Sequence, residues 1–128
     1  MLITGTDNAD VLEDTAGDDT ILGGDGDDSI VGREGGNDIL DGGLGNDTVT
    51  AFDGLNTLIG GEGADRLRSL SDGATINGGN GNDSISTIVD LTIIDAGNGN
   101  DSILVSSGAR ARVDGGEGFD SVRVCPRK

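Results

Sequence analysis

The sequence predicts an all-β chain wound as a repeating roll, with two parallel sheets of very short strands and about 18 residues per coil. Three observations predict it. One aliphatic residue recurs at a nearly fixed step from Leu12 to Val122. A Gly-rich turn precedes nearly every one of them. Phe52 and Phe119 are the only aromatics, with no Trp, Tyr or His, so the chain lacks the bulky side chains of a compact globular core.

The aliphatic series runs Leu12, Ile21, Ile30, Leu40, Val49, Leu58, Leu67, Ile76, Ile85, Ile94, Ile103, Val113 and Val122. Ten of its twelve steps are nine residues, and two, Ile30 to Leu40 and Ile103 to Val113, are ten. Gly-rich acidic chains are often disordered linkers, but a linker has no reason to hold that phase. About three residues around each aliphatic read as strand, as in Thr20-Ile21-Leu22. Side chains alternate across a strand, so Ile21 faces inward and Thr20 outward. One turn reverses the chain and the next brings it back, so two units close a coil. Coils stacked as parallel strands ~4.8 Å apart place two sheets across a thin aliphatic core, and about six to seven coils make a roll roughly 30 Å long.

The turns share one phrase, seen in full in Gly23-Gly24-Asp25-Gly26-Asp27-Asp28. It returns with Gly42, Gly43, Gly45 and Asp47, with Gly60, Gly61, Gly63 and Asp65, and with Gly78, Gly79, Gly81 and Asp83. Later copies carry Gly97, Gly99 and Asp101, then Gly115, Gly116, Gly118 and Asp120. Units alternate between two edges of the roll, so the edges can be read separately. One edge keeps its final aspartate throughout, as Asp10, Asp28, Asp47, Asp65, Asp83, Asp101 and Asp120. The other begins with Asp19 and Asp38 and then wears to Asn56, Ala74, Thr92 and a spacer around Ala109–Arg112. On this worn edge Phe52, Leu70, Ile88 and Val105 occupy comparable positions about one coil apart, which suggests a row of apolar side chains open to protein contact.

The chain reads as one domain over residues 1–128, with 1–10 a cap and worn first turn, 11–122 the repeats, and 123–128 a cap or tail. Pro126 lacks a donor and ends strand pairing. Formal net charge is -16, from 24 acidic and 8 basic residues. That sign disfavours nucleic acid and anionic membranes as partners and favours cations. No apolar run approaches the roughly 20 residues of a membrane span. Met1–Thr6 leads straight into the repeats, with no cleavable leader visible. The lone Cys125 has no internal disulfide partner.

Calcium is a hard cation that takes about 6–8 oxygen ligands. Gly-rich turns present backbone carbonyls, and the turn aspartate presents a carboxylate. One turn has too few oxygens, so a site belongs to two turns stacked on one edge. Six stacked pairs on the acidic edge and one formed by Asp19 with Asp38 give about seven ions, which bring the charge of -16 near neutrality.

The recurring phrase resembles the RTX calcium-binding nonapeptide repeat, and the resemblance covers nearly the whole chain from Thr4 to Val122. It implies a right-handed parallel β-roll with calcium between adjacent turns. It also implies a secreted or cell-surface bacterial protein exported by a type I system. Carried over residue by residue, the carboxylate ligands are the nine turn aspartates named above, with carbonyls from the preceding glycines. The carry-over fails at Asn56, Ala74 and Thr92, and the segment Val122–Lys128 does not look like the family's secretion signal.

Other motifs are weaker. No Gly-Lys-Ser/Thr follows the Gly-x-Gly runs, so a phosphate loop is not indicated. No bidentate Glu stands where an EF-hand needs one. The sequons at Asn46, Asn82 and Asn100 fall out of the repeat itself. With no His and no nucleophile arrangement, no enzymatic activity is expected. Two roles compete: a calcium-dependent folding module, and an extracellular module that binds polysaccharide or ice. The outward row Thr20, Ile39, Thr57, Thr75, Ile93, Arg112 is only half a Thr ladder, and aromatic sugar platforms are scarce. Both facts favour the folding module.

Overall fold

The computed structural model describes residues 1–88, 90–106 and 110–125. The strands are β1 (Leu2–Thr4), β2 (Val11–Glu13), β3 (Thr20–Asp25), β4 (Ser29–Gly32), β5 (Ile39–Leu44), β6 (Thr48–Ala51) and β7 (Thr57–Glu62). They continue with β8 (Arg66–Ser69), β9 (Thr75–Asn80), β10 (Ser84–Thr87), β11 (Ile93–Asp95), β12 (Ser102–Ser106), β13 (Arg112–Asp114) and β14 (Ser121–Cys125). No helix occurs among the described residues, and so none is long and apolar enough to cross a membrane.

The strands sort by parity. The first sheet runs β1-β3-β5-β7-β9-β11-β13 and the second β14-β12-β10-β8-β6-β4-β2, with seven strands in each. Every pairing is parallel. The chain is thus a β-solenoid of about seven coils, as its period predicts. The outward row Thr20, Ile39, Thr57, Thr75, Ile93, Arg112 forms in register along the first sheet. The extra residue between Ile30 and Leu40 is absorbed in the turn, so Ile21 still pairs with Leu40.

The middle strands of the first sheet are longer than three residues. β3, β5, β7 and β9 each run six residues, through both glycines of the turn. Gly43 pairs with Gly61, and Gly61 with Gly79, so the ladder extends into the turn that follows. Residues 2–4 are likewise a full strand, β1, paired with β3. The spacer at 109–112 is described only from Arg110, and the tail beyond Cys125 lies outside the described residues.

Ile21, Ile30, Leu40, Val49, Leu58, Leu67, Ile76, Ile85, Ile94 and Ile103 are each at most 1% exposed. Leu12 and Val113 are partly buried against this cluster. Val122 is 47% exposed, because β14 pairs on one side only. Ala51, Ala96 and Val105 join the core.

Val105 corrects the expected apolar row. It is fully buried, in register with Thr87. A shift of one residue along a strand sends a side chain to the opposite face. Val105 follows its aliphatic by two residues, whereas Phe52, Leu70 and Ile88 follow theirs by three. The latter three therefore turn away from the core: Phe52 and Ile88 are exposed and Leu70 is half-buried.

Because burial grades toward the end of the roll, the cost of truncation grades with it. Leu58→Ala lowers the unfolding free energy of the calcium-loaded chain by about 2–5 kcal/mol. Val122→Ala costs less than about 1 kcal/mol, since nearly half of that side chain already meets water. Urea titrations of the two variants check the contrast.

Candidate metal centre

The turns between first-sheet and second-sheet strands stack into one edge, and its aspartates form a ladder. The backbone N–H of Asp10 donates to Oδ1 of Asp28 at 2.8 Å. The same bond links Asp28 to Asp47, Asp47 to Asp65, Asp65 to Asp83, Asp83 to Asp101 and Asp101 to Asp120, at 2.7–2.9 Å. Each carboxylate thus satisfies a main-chain donor of the coil before it. This role for Oδ1 is invisible in a reading that treats the aspartates as cation ligands only.

The other carboxylate oxygen has no such partner. Oδ2 of Asp28, Asp47, Asp65, Asp83 and Asp101 is buried and accepts no hydrogen bond. Its surroundings explain why. A methyl group built on Gly60 would lie 2.5 Å from the Gly78 carbonyl oxygen and 2.6 Å from Asp65 Oδ2. Both oxygens therefore converge on space that only a glycine leaves open. Gly23 stands in the same relation to Gly42 O and Asp28 Oδ2, and Gly78 to Ala96 O and Asp83 Oδ2. The next glycine of the turn, Gly61, has φ +96°, and its Cβ would strike the Gly43 carbonyl oxygen. A side chain there meets both a strained backbone and a steric block.

At these three turns acceptor lies beside acceptor, so no hydrogen bond can form between the two. A cation or a proton satisfies both. A hard divalent cation fits this donor set, which is carboxylate and carbonyl oxygen throughout. Among the described residues no three His, Cys, Asp or Glu side chains converge on one point, so a cation here draws much of its coordination from the main chain.

The proton alternative shows in the acidities. Burial, which disfavours the charged form, pushes Asp47 up to about 6 and Asp83 up to about 7. The N–H bond from the preceding coil opposes the shift, and neighbouring aspartates add to it. Asp65 and Asp101 are raised for the same leading reason.

The opposite edge changes chemistry along its length. Asp19 is held low, first by its bond to the Met1 ammonium at 3.0 Å and then by the Thr15 N–H. Asp38 is raised by burial, and its Oδ2 is buried without a partner. Asp19 N–H donates to Asp38 Oδ1, and Asp38 N–H to Asn56 Oδ1, both at 2.8 Å. At Asn56 the pattern turns. Its Nδ2 donates to the Asp53 carbonyl at 2.5 Å, so an amide N–H fills the place a cation would take. Farther along, the buried Thr87 and Thr92 hydroxyls lie 3.3 Å apart, and one coil later Val105 is buried. Along the turn position the edge passes from carboxylate (Asp19, Asp38) to amide (Asn56), then to the buried methyl of Ala74 and the hydroxyl of Thr92, while the adjoining strand position changes from Thr87 to Val105.

Three further features escaped the sequence reading. Asp14 is buried and accepts the N–H groups of Arg33 and Glu34 at 2.9 Å each. The residue before the turn aspartate forms a second ladder, with Asn46 N–H donating to Asp27 and Asn100 N–H to Asn82. A third links Asn98, Asn80 and Glu62 through side chains. The recurrence of Asn at these positions was the available signal.

A parallel solenoid that lines one edge with carboxylates whose second oxygen is buried without a donor defines a cation-binding repeat protein. The family model of the RTX calcium-binding nonapeptide repeat matches in four copies, at residues 4–36, 34–67, 71–87 and 93–109. These cover more than half of the chain, and the chain belongs to that family: it is a calcium-binding repeat module of the β-roll type. No curated protein and no solved structure matches it.

Two predictions follow from the ladder. The folded chain holds Asp47 and Asp83 well above the ordinary carboxylate value of about 3.9, so without metal it binds more protons than the unfolded chain. Its stability in chelator therefore falls as pH rises from about 4 to about 7. Calcium affinity rises over the same interval, because the ligands must lose their protons. Far-UV circular dichroism in chelator and calcium titrations across that range measure the two trends.

Asp65→Asn and Asp65→Ala separate the two oxygens. Asparagine keeps an acceptor for the Asp47 N–H, whereas alanine leaves that buried donor unpaired. In excess calcium the alanine variant is less stable than the asparagine variant by about 1–3 kcal/mol, the usual cost of an orphaned buried group. Calcium stoichiometry falls in both.

Proposed function

We propose that this chain is a module that folds on binding several calcium ions, within a secreted or cell-surface protein. The observation that carries the reading is the row of buried Oδ2 atoms set against carbonyl oxygens. Ligands are Asp10, Asp28, Asp47, Asp65, Asp83, Asp101 and Asp120 on the continuous edge, Asp19 and Asp38 on the other, with glycine carbonyls of the same turns. About seven ions fit the stacked-turn arrangement. Family membership supports the location, since RTX repeats are typical of secreted bacterial proteins.

The energetics favour coupling of folding to metal. The core is one aliphatic layer, and ordering the backbone costs about 1–2 kcal/mol per residue. The folded chain must also collect buried carboxylates along one edge. A ligand that binds only the folded state shifts this balance by mass action. In excess chelator at neutral pH the chain is expected to be largely unfolded, and calcium restores the β spectrum. Calorimetry is expected to count about seven ions. An unchanged spectrum on chelation, or two or fewer ions per chain, overturns the reading.

A further inference from the structure

The two outer faces of the roll carry opposite charges in matching rows. On the second sheet Arg68, Ser86, Leu104 and Arg123 stand in register on β8, β10, β12 and β14. On the first sheet Asp41, Ile59, Asn77 and Asp95 stand in register on β5, β7, β9 and β11. Each of these residues follows a core-facing aliphatic by one position, so its side chain points outward. In each row the two charges are three strands apart, about 14 Å at the usual strand spacing of ~4.8 Å. The outward positions of the second sheet from Ser29 on β4 to Arg123 on β14 include no carboxylate, in a chain whose net charge is -16. Arg68, Arg123 and Asp95 are exposed and Asp41 is half-buried. Among the described residues none of the four forms an ion pair.

We propose that the second-sheet face of one copy docks on the first-sheet face of another, with the two coil axes antiparallel. Read in opposite directions, the rows agree at every step: Arg123 meets Asp41, Leu104 meets Ile59, Ser86 meets Asn77 and Arg68 meets Asp95. Arginine and carboxylate form two parallel hydrogen bonds. Leu104, 37% exposed in the single chain, and the half-buried Ile59 remove apolar surface from water. The fold itself selects this alignment. The two sheets of one roll run in opposite directions and face opposite ways. A half-turn of the second copy about the face normal therefore makes the facing strands parallel and brings these two rows together. Without the half-turn the strands oppose, and the Arg68 row falls on Ile39, Thr57, Thr75 and Ile93, which include no carboxylate. The occupant is a second copy because the chain itself carries the complementary order of charged, apolar and polar groups at the same strand spacing. The contact joins two different faces, so assembly continues as an open stack and does not close as a dimer. It covers about five strands, ~19 Å along the roll, which places it at the weak end of specific interfaces.

The test is sedimentation of the calcium-loaded chain up to millimolar concentration. Mass is expected to rise past the dimer without a plateau. Arg68→Glu with Arg123→Glu weakens association at least tenfold, and so does Asp41→Lys with Asp95→Lys. An equimolar mixture of the two variants restores it, because each then offers the face the other lacks. The lysine pair separates docking from general repulsion, which predicts stronger association as the chain loses negative charge. Asp95→Lys alone, at an exposed position, checks the same direction without touching the half-buried Asp41. A Cys125→Ser background carrying Ser86→Cys cross-links on oxidation to one carrying Asn77→Cys. A monomer at every concentration overturns the proposal, as does a limiting dimer. Association unmoved by either pair of variants also overturns it, as does a mixture that stays monomeric. Cross-linking of Ser86→Cys to Thr57→Cys in place of Asn77→Cys overturns the antiparallel alignment. The circular dichroism spectrum of each calcium-loaded variant reports the roll separately, so failure here leaves the calcium reading standing.

Discussion

In the middle of the continuous edge, at Asp28, Asp65 and Asp83, a buried carboxylate oxygen lies beside a carbonyl oxygen of the coil above, with no donor on it. Much of the architecture answers to that contact. Glycine is required where the two oxygens converge, because a Cβ would fill the space. The ladder from main-chain N–H to Oδ1 fixes each carboxylate so that Oδ2 faces inward. Neighbouring aspartates add to burial in making Asp47, Asp83 and Asp101 weaker acids, so these groups do not titrate independently of the row. Backbone pairing between strands sets the spacing of the coils, and the thin aliphatic core does not relieve this edge.

The second edge shows what happens when the same backbone is released from that contact. Asn56 supplies its own donor to the turn carbonyl. Ala74 buries a methyl group, Thr87 and Thr92 pair their hydroxyls, and Val105 takes the Thr87 register position one coil later. Stacking survives each replacement, with Thr57, Thr75 and Ile93 still bonded to the preceding coil. The roll therefore tolerates changing chemistry on one side while the other holds its carboxylates in line.

Period and alternation made the coil, the inward aliphatics and the unequal edges legible in the sequence. The outward row through Thr57 and Thr75 was legible for the same reason. Positions just past the strand were less so. Val105 and Phe52 look alike in composition, yet one residue of offset buries the first and exposes the second. Strand length in the first sheet escaped because glycines ordinarily weaken strands, whereas here they pair with glycines above and below.

The first and last strands, β1 and β14, lie at opposite ends of the stack. Tension applied between them loads the outermost coils first, and the hydrogen bonds to each neighbour open in sequence along the row rather than all together. A folded coil spans ~4.8 Å of the axis, whereas its roughly 18 residues extend to about 60 Å. Pulled from its ends, this roll is a spool that pays out chain in discrete lengths, each released when one layer of the edge lets go.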